Sequence, residues 1–275
     1  MLGNRDINKM RFLHELSNAS CSVASHPGTY WVRPNKPPQR EEAEADASDR
    51  VVIAKWMLRH TMGCPETFEL RKQELARAAG QSVSDEEVAG DFLRSVLPSG
   101  EMAQYLKHGE LMVNVGDVLF AHGAVWSGAL GAVPVLPSGD DLAVPTFNAT
   151  EGPVVTWDRV PFDEAASESR NSPAAEWTMR LNAFARAQVK DFLKYGAQCV
   201  AGVGACPHPW AAAPWCSTGG YTGDAGAGLL QTGMGWAADR TRVNSVVYAN
   251  NLDKKGAPSV VQTRIIRIYF NERFA

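Results

Sequence analysis

At 275 residues the chain is long enough to bury one large core or two small ones. A formal net charge of −3 leaves no bulk positive field and excludes a general nucleic-acid or acidic-membrane binder. No apolar run reaches the ~20 residues of a membrane-spanning helix, and charges stand close to Met1, so a soluble cytoplasmic protein without a membrane partner is expected. The five cysteines (Cys21, Cys64, Cys199, Cys206, Cys216) are scattered and form no Cys-x-x-Cys pair, which reads as reduced thiols.

The chain opens with the turn Gly3-Asn4-Arg5-Asp6, and Ile7, Met10, Phe12, Leu13 and Leu16 follow at roughly helical spacing. Residues 33–50 combine prolines and acids with almost nothing apolar and read as an exposed, disordered loop. Residues 51–108 form a helical block. Its first helix runs from Val51 to His60, and a second from Pro65 to Ala79 with Gly80 as its stop. Ser84 and Glu87 make a capping box ahead of a third helix whose Val88, Phe92, Leu93, Val96 and Leu97 share one face. A fourth helix covers Glu101 to His108 and stops at Gly109.

The pattern then turns to strands. "ELMVNVGDVLFAHGAV" predicts a hairpin about Gly116-Asp117, with His122-Gly123 at the end of its second strand. Residues 127–172 read mostly as loop, with a short strand at 154–157. Ser172-Pro173 opens a long helix on which Trp177, Leu181, Phe184, Gln188 and Phe192 fall on one face. Residues 196–238 carry no lysine, arginine or glutamate and a single aspartate, Asp224, with neither helical nor strand periodicity. Either a glycine-rich ligand loop or a mistranslated exon accounts for that composition. A second hairpin is predicted between Val243 and Phe270.

Two motifs carry candidate chemistry. In Gly-Asn-Arg-Asp, Asn4 or Asp6 can cap the helix that follows. Alternatively, the Asn4 amide oxygen can bind a divalent cation and the Arg5 guanidinium can hold a phosphate. His122 ends a strand before a glycine, where a sheet presents side chains to a crevice, and neutral imidazole is the commonest metal ligand. It can equally be a structural histidine.

"GNRDINK", the helical segment with "TMGCPETFELRKQEL", and "YLKHGELMVNVGDVLFAHGAV", in that order, resemble the calcineurin-like metallophosphoesterase superfamily, in a branch whose asparagine motif reads Gly-Asn-Arg-Asp. The resemblance covers residues 2–126, returns weakly around Trp177 to Phe192 and in the last hairpin, and implies an α/β (α+β) fold. It further implies a single domain over 1–275 in which a β-sandwich is flanked by helices, residues 51–108 being a helical insertion. It also implies two metals drawn from manganese, iron and zinc, a metal-activated hydroxide and a phosphate-ester substrate.

Carried over residue by residue, Asn4 becomes a ligand of one metal and a phosphate contact, and His122 a ligand of the second. Arg5 stands where most members place a histidine. A guanidinium does not give up a proton near neutral pH, so its role would be electrostatic, with Asp6 orienting or pairing with it. His208, in "ACPHPW", lies near the place of the last histidine motif without its preceding glycine, and is either a ligand or a chance occurrence. No Asp-x-His or Gly-Asp-x-x-Asp occurs in the chain. The resemblance therefore implies a domain incomplete at its N-terminus with impaired phosphatase activity, the alternative being an inactive paralogue that serves as a binding scaffold. The oligomeric state is left open.

Overall fold

The computed structural model describes residues 1–17, 23, 49–115, 118–123, 125, 129–135, 147–148, 152–153, 157–162 and 172–200. Most of the 33–50 loop, almost all of 196–238 including His208, and the 243–270 hairpin lie outside the described residues. The described part is mixed helix and strand: α1 (Asn4–Asn8), α2 (Arg11–Glu15), α3 (Arg50–Trp56), α4 (Thr67–Ala79), α5 (Asp85–Ser95), α6 (Glu101–His108) and α7 (Pro173–Val200). Its strands are β1 (Met112–Val115), β2 (Val118–Ala121), β3 (Ala132–Pro134), β4 (Phe147–Asn148), β5 (Gly152–Pro153) and β6 (Trp157–Arg159). Among the described residues no helix is long and apolar enough to cross a membrane. Cys64 is a free thiol.

These residues divide into two compact units, one of 1–8 and 106–191, the other of 9–105 and 192–200. The second unit is helical. Asp49 starts α3 by accepting from the Val51 and Val52 amides, and α3 widens into a π-turn at Met57–Thr61. The next helix begins at Thr67 instead of Pro65, because Pro65 is spent in a turn that Thr67 N–H closes onto Cys64 O at 3.1 Å. It ends where expected: Gly80 takes φ +67°, a left-handed conformation that a Cβ disfavours. At α5 the capping box forms in both directions, Glu87 N–H to Ser84 Oγ and Ser84 N–H to Glu87 Oε2.

In the core of this unit Phe92 packs against Phe12 and Phe68, with ring centroids 5.4 and 6.0 Å apart, and Trp56 is fully buried. Asp85 lies between the ammonium groups of Lys55 and Lys72, whose hydrogen bonds hold its carboxyl below the ordinary value. Arg11 and Glu15 form a buried pair one helical turn apart, Nε to Oε1 at 2.6 Å. Burial pushes the Glu15 carboxyl up more than Arg11 pulls it down.

The first unit carries the described strands. They pair antiparallel as β1–β2, β3–β6 and β4–β5. The expected strand at 154–157 is found at Trp157–Arg159, set by pairing with β3, while 154–156 lie outside the described residues. Gly131, at φ +75°, turns the chain into β3. The long helix opens at Pro173 with Ser172 Oγ accepting from Ala175 N–H, and buries Trp177, Leu181, Phe184, Gln188 and Phe192. Trp177 also donates to Ala132 O at 2.9 Å, which ties α7 to β3.

Candidate functional site

The Gly3–Asp6 turn is built by backbone capping. Gly3 O accepts from Asp6 N–H and Ile7 N–H at 3.0 and 3.1 Å, and Gly3 N–H in turn donates to the Asp6 carboxylate at 2.8 Å. That reciprocal pattern is half of a capping box, so Asp6 works as the helix cap foreseen among its alternatives. Asn4 Oδ1 accepts from Arg5 N–H at 3.0 Å, and the Arg5 side chain is exposed.

The hairpin brings His122 to this turn. Leu2 N–H donates to Glu110 O at 2.8 Å, fixing the chain start beside the entry to β1. The register pairs Met112 with Ala121, so β2 ends where β1 begins and His122 emerges next to residues 2–4. Its Nε2 lies 3.2 Å from Asn4 Oδ1, across 118 positions of sequence. The imidazole rests on Gly3: a Cβ there would meet Cε1 at 2.9 Å and both ring nitrogens at 3.0 Å. A side chain at position 3 would therefore push the exposed ring away from the turn.

With Asn4 Oδ1 already accepting from Arg5 N–H, the contact requires the tautomer that carries its proton on Nε2. A cation would take the Nε2 lone pair and leave the proton on Nδ1. At metal–ligand distances of about 2.1 Å, two ligands of one ion stand ~3.0 Å apart at right angles and ~3.4 Å apart at the tetrahedral angle. The observed 3.2 Å is an ordinary N–H···O hydrogen-bond length and also falls between these two values.

Asn4 and His122 are both neutral donors, and the Asp6 carboxylate bonds Gly3 N–H. Among the described residues no group of three or more His, Cys, Asp or Glu could hold a metal ion.

No family model, curated protein or solved structure matches the chain.

One polar residue on the buried face of α7 carried no functional signal in sequence. Asn182 is 3 % exposed, and its Oδ1 accepts from Leu111 and Met112 N–H at 3.0 and 3.2 Å. Its Nδ2 donates to Met112 O at 2.7 Å and to the Glu110 carboxylate, whose other oxygen meets Arg186 Nη1 at 2.7 Å. The amide locks the entry of β1, and with it the route by which His122 reaches Asn4. The available signal was an asparagine, a poor helix former, next to an apolar stripe.

Proposed function

We propose that the chain is of the metal-dependent phosphoesterase type and keeps the asparagine–histidine part of its metal site, acting on phosphate esters with impaired efficiency. The carrying observation is the 3.2 Å approach of His122 Nε2 to Asn4 Oδ1 over a glycine with no room for a Cβ. Asn4 and His122 would hold one divalent ion, manganese or zinc suiting an oxygen–nitrogen pair, and iron remaining compatible. A bound ion would supply charge to an ester oxygen. The exposed Arg5, in the same turn, would hold the phosphate through its guanidinium fork. A helix-flanked β-sandwich is the architecture this reading carries with it.

The second reading, a scaffold that binds metal or a phosphorylated ligand without turnover, is favoured by the count of donors, two neutral groups among the described residues. One experiment separates them. The 275-residue chain is titrated with manganese and zinc while its melting temperature and its hydrolysis of p-nitrophenyl phosphate are followed. A metal-dependent rise in melting temperature that Asn4→Ala and His122→Ala each abolish supports the site, since ligand at 100 times Kd stabilises by about 2.7 kcal/mol. Weak hydrolysis removed by chelator and by both variants supports the enzyme, and binding without hydrolysis supports the scaffold. No binding at millimolar metal overturns both. Robust chelator-sensitive turnover would overturn the impairment.

A further inference from the structure

Strand β1 has a second edge. In its ladder with β2, Met112 lies opposite Ala121 and Asn114 opposite Leu119. The Met112 N–H and C=O are both engaged by the Asn182 side chain, so this residue turns its backbone away from β2. By the alternation of an antiparallel ladder, Asn114, two residues on, turns its own N–H and C=O the same way. The Asn182 carboxamide therefore stands where a peptide unit of a neighbouring strand would stand, and it fills the first position of that edge.

The second position opens on a groove of about 360 Å³ between β1 and α7, walled by Val113, Asn114, Ala175, Thr178 and Met179. This volume is at the lower end of the range for binding clefts. Thr178 is 9 % exposed, and its Oγ1 has no hydrogen-bond partner among the described residues. A buried hydroxyl left in that state is unfavourable until something completes it. Met179, one residue further, is 58 % exposed and adds an apolar rim.

We propose that this edge docks an extended peptide of a partner protein, which adds to β1 beside Asn114 as a short strand. The groove offers one backbone donor and one backbone acceptor on its strand wall, a hydroxyl on its helix wall, and apolar surface between. A peptide carries donor and acceptor at that spacing. An anionic ligand would be repelled by the Asn114 carbonyl, and a purely apolar one would leave three polar groups unsatisfied. From Ala175 to Met179 the open helix wall runs ~6 Å at 1.5 Å per residue, the reach of about two extended residues. Asn182 confines the ladder to the Asn114 position. The Arg186–Glu110 pair at the far end is close to neutral, and affinity changes little with salt.

The test pans phage-displayed random heptapeptides on the full chain and remakes the recovered sequences with and without backbone N-methylation. Removing the one N–H that meets Asn114 O should weaken binding about tenfold. Thr178→Val should weaken it severalfold without lowering the melting temperature, because the hydroxyl it removes has no partner among the described residues of the free chain. Amide exchange at Asn114 should slow when peptide is added. Recovery of no peptide, or indifference to both changes, overturns the proposal. So does an Asn114 amide already protected in the free chain, which would mean that the chain itself or a second copy fills the edge.

Discussion

Replacing Gly3 with alanine probes the junction of the two motifs. The new Cβ would stand 2.9 Å from His122 Cε1 and 3.0 Å from Nδ1 and Nε2, where ordinary contact begins at about 3.5 Å. The ring must retreat by roughly 0.5–1 Å, and it can, because His122 is exposed. The 3.2 Å approach to Asn4 then lengthens to about 4 Å, outside hydrogen-bond range and too far for a shared cation. The direct loss is one exposed hydrogen bond, about 0.5–1 kcal/mol, partly offset by the smaller unfolded-state entropy of alanine. Melting temperature should therefore move by only a few degrees, while manganese affinity measured by calorimetry should fall at least tenfold. Gly80→Ala is the control. It places a Cβ in open space at φ +67°, so it should cost about 1 kcal/mol and leave metal affinity alone. A Gly3→Ala chain that binds manganese like the parent refutes the steric argument, as does one that fails to fold. If the parent binds no manganese, the phosphoesterase reading falls. The displaced ring would still be visible in the imidazole nitrogen shifts of His122.

Asn182→Ala leaves the Leu111 and Met112 amides and the Met112 carbonyl without partners in a buried setting, and should cost about 2–4 kcal/mol in denaturant titrations; a loss under 1 kcal/mol would show that the amide does not lock β1. Arg11→Met alone strands a buried carboxylate and should cost about 3–5 kcal/mol, whereas Arg11→Met with Glu15→Leu should be close to neutral, and equal losses in both would refute the pair's isolation from solvent. The Glu87 carboxyl is held below its ordinary value of 4.5 by the Ser84 backbone N–H first and the Ser84 hydroxyl second. Its contribution is present above the unfolded value and is lost as pH falls through the lower folded value. The stability gap between the parent and Glu87→Gln should be flat above about pH 5 and close in acid, and a gap that widens in acid contradicts this.

The parts of the fold legible in sequence were those written in short-range patterns. Ser84 and Glu87 announce a helix start because each satisfies the other's backbone N–H three residues away. Gly80 and Gly109 follow the ends of α4 and α6, and the apolar stripe of α7 is buried as its spacing implies. The hairpin closes with Val115 opposite Val118, as the Gly116-Asp117 signal requires. What was missed depends on neighbours. Pro65 suits a helix start by type, yet the bond from Thr67 N–H to Cys64 O keeps it in a turn. Of the strand expected at 154–157 only Trp157 is described; it lies in β6, and pairing with β3 carries that strand on to Arg159.

Sequence alone determined the helices over 67–108 and from Pro173, the β1–β2 hairpin, the Ser84 and Gly80 caps and the residue types able to do chemistry, Asn4, Arg5, Asp6 and His122 among them, whereas β3, β4 and β5 fall in a span that reads as loop. Only the tertiary structure decided what each meets. It placed His122 on Gly3 and within 3.2 Å of Asn4, committed Asp6 to a backbone amide, and set Asn182 against a strand entry 71 residues away. The reason is range. Periodicity and capping act within a turn or two of chain, while a contact across 118 residues exists only once a hairpin register and a backbone bond such as Leu2 to Glu110 have brought two distant segments together.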